Sequence, residues 1–346
     1  MKVEVKKFIS AIERVKPGLG KSTLVPEAEM LIFTPDHIFS FNGEVSVSYP
    51  FETGLEGGLS ANEVHTYLKK LKVEEIDVAP DGTTAVFSSG KKSKAGFVLT
   101  PGAKPYDLGL GAEDTKKFLL PEDFVDGLRF AMFSIAQDAS KGSMTCAYVA
   151  GDLVLSCDNY RATRYTMKKP LAKEAKPIMI PLTAVRPLLD HAPVKFSVEK
   201  TAGWVNFENK EGTVLSCRAP FESYQAELVL RLFTEEGQKL DIPPEIVEAM
   251  NRTEILADEG GAGFREVEVQ VKKGSATIRS EGARGWAEEH LETSYKGKDE
   301  LQFFISPELF YNIASHVKEM EVSPTKIIFR GPNFQHIIAL LSRPKE

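Results

Sequence analysis

Apolar residues recur at helical spacing near the start of the chain and at two later positions. In VKKFISAIERV, the residues Phe8, Ile12 and Val15 fall on one face of a helix. The segments LLPEDFVDGL (119–128) and DIPPEIVEAM (241–250) share a proline near the first helical position and acidic residues in the first turn. Both features mark helix starts, so these two segments predict helices that begin near their prolines.

A second set of three helices is predicted to begin at residues 60, 181 and 306. Their sequences are SANEVHTYLKKLK, PLTAVRPLL and SPELFYNIASHV. SANE is a capping-box pattern, which predicts that Ser60 and Glu63 satisfy each other's backbone N–H groups. Starts within each of the two sets lie about 120 residues apart, which indicates a repeated unit.

Segments between and after these helices alternate apolar and polar residues, as half-buried antiparallel strands do. They turn at Asn-Gly, Lys-Gly or Ala-Gly, for example in HIFSFNGEVSVSY, VKFSVEKTAGWVNFE and VEVQVKKGSATIRSE. Each unit therefore reads strand, helix, several strands, helix, several strands. The sequence predicts an α+β protein of three tandem domains, each with two helices packed on antiparallel sheet, over residues 1–114, 115–235 and 236–346.

Composition narrows the class of protein. Apolar content of 42% and charged content of 27% are ordinary for a globular protein. The sequence lacks an apolar run long enough to span a bilayer and a secretion signal at its start, so we expect no membrane association. Cys146, Cys157 and Cys217 lack the spacing of a metal site or disulfide framework, which favours a reducing cytoplasm. A net charge of −6 still permits a local basic surface.

Catalytic and cofactor patterns were sought, and none is complete. GKST at Gly20–Thr23 resembles the end of a phosphate-binding P-loop, but the required first glycine is replaced by Val15, and a helical pattern precedes the loop instead of a strand. His290 and Glu292 form only the start of a zinc-deaminase signature. The sequence predicts no catalytic residues, no metal and no cofactor, and we interpret the chain as a non-enzyme.

Four stretches carry a resemblance to a known family. FSIAQDASKGSM (133–144), DLVLSCDNYRATRY (152–165), the region from TEILADEGG to SPELF, and PGLGKSTLVPEAEMLIF with the strands after it occur in the order of that family. The chain resembles the bacterial sliding clamp, the beta subunit of DNA polymerase III, over nearly its whole length. The resemblance implies two protomers joined head to tail in a six-domain ring, with helices lining the hole. A ring held on duplex DNA needs only weak, sequence-independent phosphate contacts.

The resemblance places basic residues on the DNA side of the ring. Lys21 falls in the loop after the first helix, and Gln137 and Lys141 fall in the equivalent loop of the second domain. The first-domain helices are rich in lysine and arginine, whereas the other four helices carry more acid than base. The expected DNA contacts are therefore Lys21, Arg14, Lys16, Lys69, Lys70, Gln137 and Lys141. The plain alternative for Lys21 is a solvated lysine in a glycine-rich turn.

The resemblance also implies an apolar pocket that receives short peptides from the polymerase, the clamp loader and other clamp-binding proteins. Carried over, it is built from the C-terminal strand HIIALLSRP (336–344) and neighbouring segments, and its residues are Met144, Cys157, Asn159, Tyr160, Arg161, Ala162, Val229, Ala339, Leu340 and Leu341. Here the chain departs from the family, because Tyr160 replaces the usual histidine, Ala162 replaces a bulkier apolar residue and the family's last residues are replaced by ALLSRPKE. We therefore expect a pocket whose peptide preference differs from that of the family. The alternative is that these residues only pack in the core and that the C-terminal residues are a solvated tail.

Dimerisation would pair an edge of the first domain with an edge of the third. Phe97, Ile255 and Leu256 match apolar interface positions of the family, although ordinary strand burial explains Phe97 equally well. Two functions remain. The first is a homodimeric DNA sliding clamp and processivity factor that encircles duplex DNA and tethers the polymerase. The second is a monomeric protein-interaction module of the same fold that binds replication factors without encircling DNA.

Overall fold

The computed structural model of the chain describes residues 1–20, 26–90, 93–103, 116–199, 203–218, 222–259 and 263–341. The fold is α+β, as the sequence predicts. Contacts divide it into two compact units. The first unit contains residues 1–125 and 171–221, and the second contains residues 126–170 and 222–346.

All six predicted helical segments contain an α-helix, and the described residues include one helix that the sequence patterns did not predict, α5. The helices are α1 (Val5–Val15), α2 (Ala61–Lys70), α3 (Phe124–Ala131), α4 (Leu182–His191), α5 (Ala226–Arg231), α6 (Ile246–Glu254) and α7 (Pro307–Ala314).

The strands are short and joined mainly by tight turns. They are β1 (Lys2–Glu4), β2 (Met30–Phe33), β3 (His37–Phe41), β4 (Val45–Pro50), β5 (Gly57–Ser60), β6 (Glu75–Asp81), β7 (Thr84–Ser89), β8 (Ser93–Val98), β9 (Lys117–Leu119), β10 (Cys146–Ala150), β11 (Leu153–Cys157), β12 (Arg161–Thr166), β13 (Ile178–Pro181), β14 (Lys195–Val198), β15 (Trp204–Glu208), β16 (Val214–Arg218), β17 (Gln238–Asp241), β18 (Val267–Lys272), β19 (Ser275–Gly282), β20 (Gly285–Glu292), β21 (Leu301–Ile305), β22 (Glu319–Val322), β23 (Lys326–Arg330) and β24 (Phe334–Ala339).

The first unit contains two antiparallel sheets. One has the strand order β1-β6-β7-β8, and the other has the order β5-β2-β3-β4-β16-β15-β14-β9. Helix α1 buries the apolar face that its sequence pattern predicts, with Phe8 fully buried. The Phe8 ring lies 6.2 Å from Phe33, 5.3 Å from Phe51 and 5.7 Å from Phe87, centroid to centroid. These aromatic contacts form the centre of the core beneath α1.

The second unit repeats this arrangement. It contains the sheet β20-β19-β18-β21 and a run of seven neighbouring strands, β10-β11-β12-β24-β23-β22-β17. Helix α3 lies close against the seven-strand run at Gly127. A Cβ atom at that position would come within 2.8 Å of Val154 and 3.1 Å of Tyr165, so glycine permits the close approach.

Two local predictions are wrong. Ser60 and Glu63 bond to each other through their side chains, and Ser60 makes no side-chain bond to a helix N–H group, so the capping box does not form. Ser60 also ends strand β5, where its backbone pairs with Met30. The helices at Pro121 and Pro243 begin later than predicted, because each proline carbonyl first accepts a turn hydrogen bond, from Phe124 and Ile246 respectively.

Replacing Phe8 with alanine tests the core beneath α1. We expect Phe8→Ala to lower the free energy of unfolding of the first unit by about 3–5 kcal/mol, because the change leaves a cavity among packed aromatic rings. The control Lys6→Ala, on the exposed face of the same helix, should change it by less than about 0.5 kcal/mol. Urea unfolding followed by circular dichroism measures both. Equal, small effects would contradict this description of the core.

Candidate functional site

Four neighbouring strands of the second unit place one apolar row across a single face of their sheet. Cys157 on β11 pairs with Ala162 on β12, Ala162 pairs with Ile337 on β24, and Ile337 pairs with Ile328 on β23. All four side chains are buried. Because residues paired across antiparallel strands point to the same face, the row forms a continuous apolar floor.

Helix α5 covers this floor. Val229 and Phe233, four residues apart, belong to the same buried cluster as the floor residues. Met144 and Tyr224 are partly buried and pack against the cluster. The Tyr224 ring stacks on Tyr148 at 4.9 Å, and its hydroxyl donates to the Cys157 sulfur at 3.6 Å. The result is a buried apolar cluster with a tyrosine at its border, at the place where the sequence predicts the peptide pocket.

Met144 is positioned by the loop that precedes β10. Gly142 has φ of +54°, and a Cβ atom there would collide with the Glu222 carboxylate. That carboxylate accepts the Ser143 N–H at 3.2 Å, and the Ala136 N–H donates to the Met144 carbonyl at 3.0 Å. The loop conformation therefore depends on glycine at position 142.

The rim of the pocket is built around an ion pair. Asp158 accepts two hydrogen bonds from the Arg161 guanidinium, at 3.0 and 2.8 Å, and also the backbone N–H groups of Tyr160 and Arg161. Tyr160 packs edge-on against Phe264 at 4.9 Å, and Asn159 is exposed. Asp158 therefore compensates the charge of Arg161 locally.

The end of β24 and the two residues after it border the same rim. Ala339, Leu340 and Leu341 are half-buried, and each N–H donates to a carbonyl, those of Tyr160 (2.7 Å), Thr325 (2.8 Å) and Phe304 (3.0 Å) respectively. These three residues lie beside the buried cluster and do not belong to it.

Basic residues expected to face DNA have acidic neighbours in the first unit. Arg14 pairs with Glu211 and lies over the Tyr49 ring at 5.2 Å. Lys69 pairs with Glu13 at 3.0 Å, and the hydrogen bond from Lys69 lowers the pKa of the Glu13 carboxyl. The positive charge of Arg14 and Lys69 is thus partly neutralised within the unit.

The other residues expected to contact DNA are Lys16, Lys70, Gln137, Lys141 and Lys21. Lys16 and Lys70 in the first unit are exposed, as is Gln137 in the second unit. Lys141 is half-buried in a helical turn, where its N–H donates to the Asp138 carbonyl at 3.0 Å. Lys21 lies outside the described residues.

The expected interface residues lie on or near sheet edges. Phe97 is on β8, at one edge of its sheet, and is half-buried with its ring 4.9 Å from Phe87 and 5.4 Å from Tyr67. In the second unit, Ile255 follows α6 and is 67% exposed, while Leu256 beside it is half-buried. Packing within the first unit therefore accounts for much of the burial of Phe97. Ile255, by contrast, is an apolar side chain exposed to solvent.

Eight solved structures that resemble this fold are described as DNA polymerase sliding clamps or DNA polymerase III beta subunits. No protein-family model matches the chain, and no curated protein matches its sequence. The sliding clamp of Bartonella birtlesii, solved bound to griselimycin, superposes with a TM-score of 0.85 at 14% identity, over 99% of each chain. The chain has the sliding-clamp fold. The clamp of Pseudomonas aeruginosa gives 0.82 at 13% identity and the DNA polymerase III beta subunit of Thermotoga maritima gives 0.81 at 15%, again over 99% of each chain.

Within the sliding-clamp fold, the structure brings together four of the predicted pocket residues in one cluster, namely Met144, Cys157, Ala162 and Val229. Tyr224, Phe233 and Ile328 were not predicted, whereas Ile337 lies in the predicted C-terminal strand HIIALLSRP. The two isoleucines lie in short apolar runs, KIIFR and HIIA, that indicate strands, but only the strand register shows that they share a face with Ala162. Tyr224 and Phe233 flank α5, a helix of only six residues whose pattern is too short to detect.

Among the described residues, neither a metal-binding cluster nor a membrane-spanning helix is present. In the described ranges, histidine, cysteine and acidic side chains do not gather in threes as a metal site requires. The helices in those ranges are also too short or too polar to cross a membrane.

The three cysteine thiols test how well the pocket floor is covered. All three are buried, and burial raises the pKa of Cys146 to about 11 and also raises that of Cys157. We expect the native protein at pH 8 to react slowly with Ellman's reagent, because thiolate is scarce and the sulfurs are covered. Protein unfolded in guanidinium should release three equivalents at once. Rapid loss of one thiol from native protein, absent in Cys157→Ser, would show an open floor.

Proposed function

We propose that the chain is a DNA sliding clamp, a processivity factor that encircles duplex DNA as a head-to-tail homodimer and catalyses no reaction. The observation that carries the proposal is the match of the sliding-clamp fold over 99% of this chain, with TM-scores of 0.80 to 0.85 for eight structures. In this proposal, residues 1–114, 115–235 and 236–346 form three domains, two chains form a six-domain ring, and the protein acts in the cytoplasm.

The proposed contact with DNA is weak and independent of sequence. A closed ring stays on a duplex by topology, so its cations need only make phosphate contacts that still permit sliding. The exposed residues Lys16, Lys70 and Gln137 suit this role, and Lys21 remains a sequence-based candidate.

We assign partner binding to the apolar pocket of the second unit. Its buried row of Cys157, Ala162, Ile337 and Ile328 and its wall from α5 suit apolar side chains of a short peptide. The proposed partners are a replicative polymerase, a clamp loader and other proteins with clamp-binding peptides. Compensation of Arg161 by Asp158 supports a pocket in which apolar contact, rather than a free cation, supplies most of the affinity.

The proposed ring interface joins β8 of one chain to β20 of the other. Both strands lie at sheet edges. Lys94 is exposed on β8 and follows Lys91 and Lys92 in the sequence, whereas Glu288 and Glu292 are exposed on β20. Pairing the basic edge with the acidic edge would cover both and would favour association of the correct partners.

The monomeric interaction module remains the second candidate. The observation that favours it is the engagement of Arg14 and Lys69 by acidic groups of the same unit, which reduces the positive charge available for phosphates. Such a module would use the apolar pocket without closing a ring. The two candidates differ in oligomeric state.

Solution mass separates the two candidates. We expect a dimer of the 38.2 kDa chain by light scattering at micromolar concentration and a monomer for Ile255→Glu, because the variant places a charge in an apolar contact. Leu119→Glu is the matched control, since Leu119 is similarly exposed at 73% but lies on β9. It should remain dimeric.

Tryptophan fluorescence gives a second measure of the same equilibrium. Trp286 on β20 is 64% exposed, whereas Trp204 is buried. Dilution of a dimer should therefore shift emission to longer wavelength, and Trp286→Phe should abolish the shift. A wild-type chain that is monomeric at every accessible concentration would contradict the clamp and support the interaction module.

A further inference from the structure

The strands that form the pocket floor are joined on their opposite face by a second row of side chains. Ser156 pairs with Thr163, and Thr163 pairs with His336, each one residue away from a floor residue. Ser134, just after α3, contacts this row from above the sheet. All four side chains are completely buried.

These side chains form one continuous chain of hydrogen bonds. The Ser156 hydroxyl donates to the Ala131 carbonyl at 2.7 Å. Ser134 Oγ lies 2.8 Å from Ser156 Oγ and 2.7 Å from Thr163 Oγ1. Thr163 Oγ1 lies 2.8 Å from His336 Nδ1. Every polar group of the row except one thus has a partner within hydrogen-bond distance.

The Ala131 carbonyl at one end and the unpartnered Nε2 of His336 at the other together indicate the direction of the bonds. The single proton of Ser156 goes to the Ala131 carbonyl, so Ser134 can donate to Ser156, where the hydroxyl at 2.8 Å is nearer than the carbonyl at 3.3 Å. Donation in the opposite direction, from Ser134 to Thr163 and on to His336 Nδ1, would place the ring proton on a buried Nε2 that has no partner among the described residues. The direction without that cost has Thr163 donating to Ser134. Thr163 then needs a donor, which is the Nδ1–H of a neutral His336. Burial, aided by the charge of Arg161, lowers the pKa of His336 to about 3, which agrees with a neutral ring.

The remaining imidazole nitrogen fits this assignment. His336 Nε2 is buried and has no hydrogen-bond partner among the residues that the structure describes. As a bare acceptor it is tolerated better than a buried N–H without a partner would be. The chain of bonds therefore specifies one tautomer of His336 as well as one orientation of each hydroxyl.

We propose that Ser134, Thr163 and His336 are positioning residues for the peptide pocket, holding the strands of its floor in one geometry. Cys157 follows Ser156, Ala162 precedes Thr163 and Ile337 follows His336, so a twist that moved the polar row would also move the floor. Ser134 adds a second link, because the Ala136 N–H two residues later donates to the carbonyl of Met144. This inference rests on the proposed peptide-binding function.

The test compares peptide affinity and tautomer in matched variants. The probe is a nine-residue peptide selected by phage display on the wild-type protein and shown to lose binding to Val229→Glu. Thr163→Val keeps the shape of the side chain but removes the bond to Ser134 and the acceptor for His336, whereas Thr163→Ser keeps the hydroxyl. Thr253→Val is the control, because Thr253 is equally buried in the second unit and its hydroxyl donates only to carbonyls of α6, those of Ala249 and Met250.

We expect Thr163→Val to weaken peptide binding by about tenfold and Thr163→Ser by less than about threefold. Thr253→Val should lower the melting temperature without changing the dissociation constant. Nitrogen-15 spectra of the six histidines should show a ring protonated only at Nδ1 in the wild type and in Thr163→Ser, and loss of that signature in Thr163→Val. If Thr163→Val fails to fold, Ser134→Ala is measured against the same criteria.

The outcomes separate this inference from the proposed function. Unchanged peptide affinity in folded Thr163→Val and Ser134→Ala, with only a lower melting temperature, would overturn the positioning role while leaving the pocket in place. Failure to select any peptide sensitive to Val229→Glu would overturn the pocket, and the positioning role with it. An Nε2–H signal for wild-type His336 would contradict the direction of the hydrogen bonds.

Discussion

The pairing of β12 with β24 is the constraint on which the candidate site depends. It joins residues 161–165 to residues 334–338, and its side-chain bond from Thr163 to His336 spans 173 positions of sequence. This one register places Ala162 beside Ile337 on the pocket floor and Thr163 beside His336 on the opposite face. A shift by one residue would exchange the two faces, putting polar groups into the pocket and apolar groups among the buried hydroxyls.

The same pairing explains why the pocket can differ from its relatives while the fold is retained. Backbone bonds between strands hold the floor whatever the side chains are, so Ala162 and Cys157 can occupy it without loss of the sheet. The side chains that pack around this floor are chiefly Val229, Phe233 and Tyr224, and in the proposed function they set the affinity for a peptide. This separation of scaffold from surface is consistent with a shared fold at 11–16% identity.

Sequence patterns were sufficient for elements whose periodicity is long. The stripe of Phe8, Ile12 and Val15 identified α1, and the alternation in HIFSFNGEVSVSY identified the hairpin of β3 and β4. The capping-box rule failed at Ser60, because the Glu63 carboxylate and the helix backbone compete for the Ser60 hydroxyl. The hydroxyl bonds to Glu63 and leaves the backbone N–H groups uncapped.

The candidate site was only partly predictable, because several of its residues are brought together by strands that are distant in sequence. Residues such as Met144 and Val229 came from the family resemblance, whereas Ile328 and Ile337 depend on the register of distant strands, which a single sequence does not show. The hydrogen-bond chain from Ala131 to His336 was also invisible, because serine, threonine and histidine scattered over two hundred residues have no pattern until the strands are paired.

Topological retention on DNA is the most direct test of the account. Dilute protein is mixed with a nicked circular plasmid, concentrated so that rings assemble around it, and passed over a gel-filtration column at about 0.15 M salt, where exposed charges are well screened. After the rings have assembled and before the column, half of the sample is cut once with a restriction enzyme, which makes the plasmid linear. An encircling clamp should elute with the circular plasmid and be lost from the linear one. Equal retention on both forms, or none on either, would contradict a closed ring around DNA.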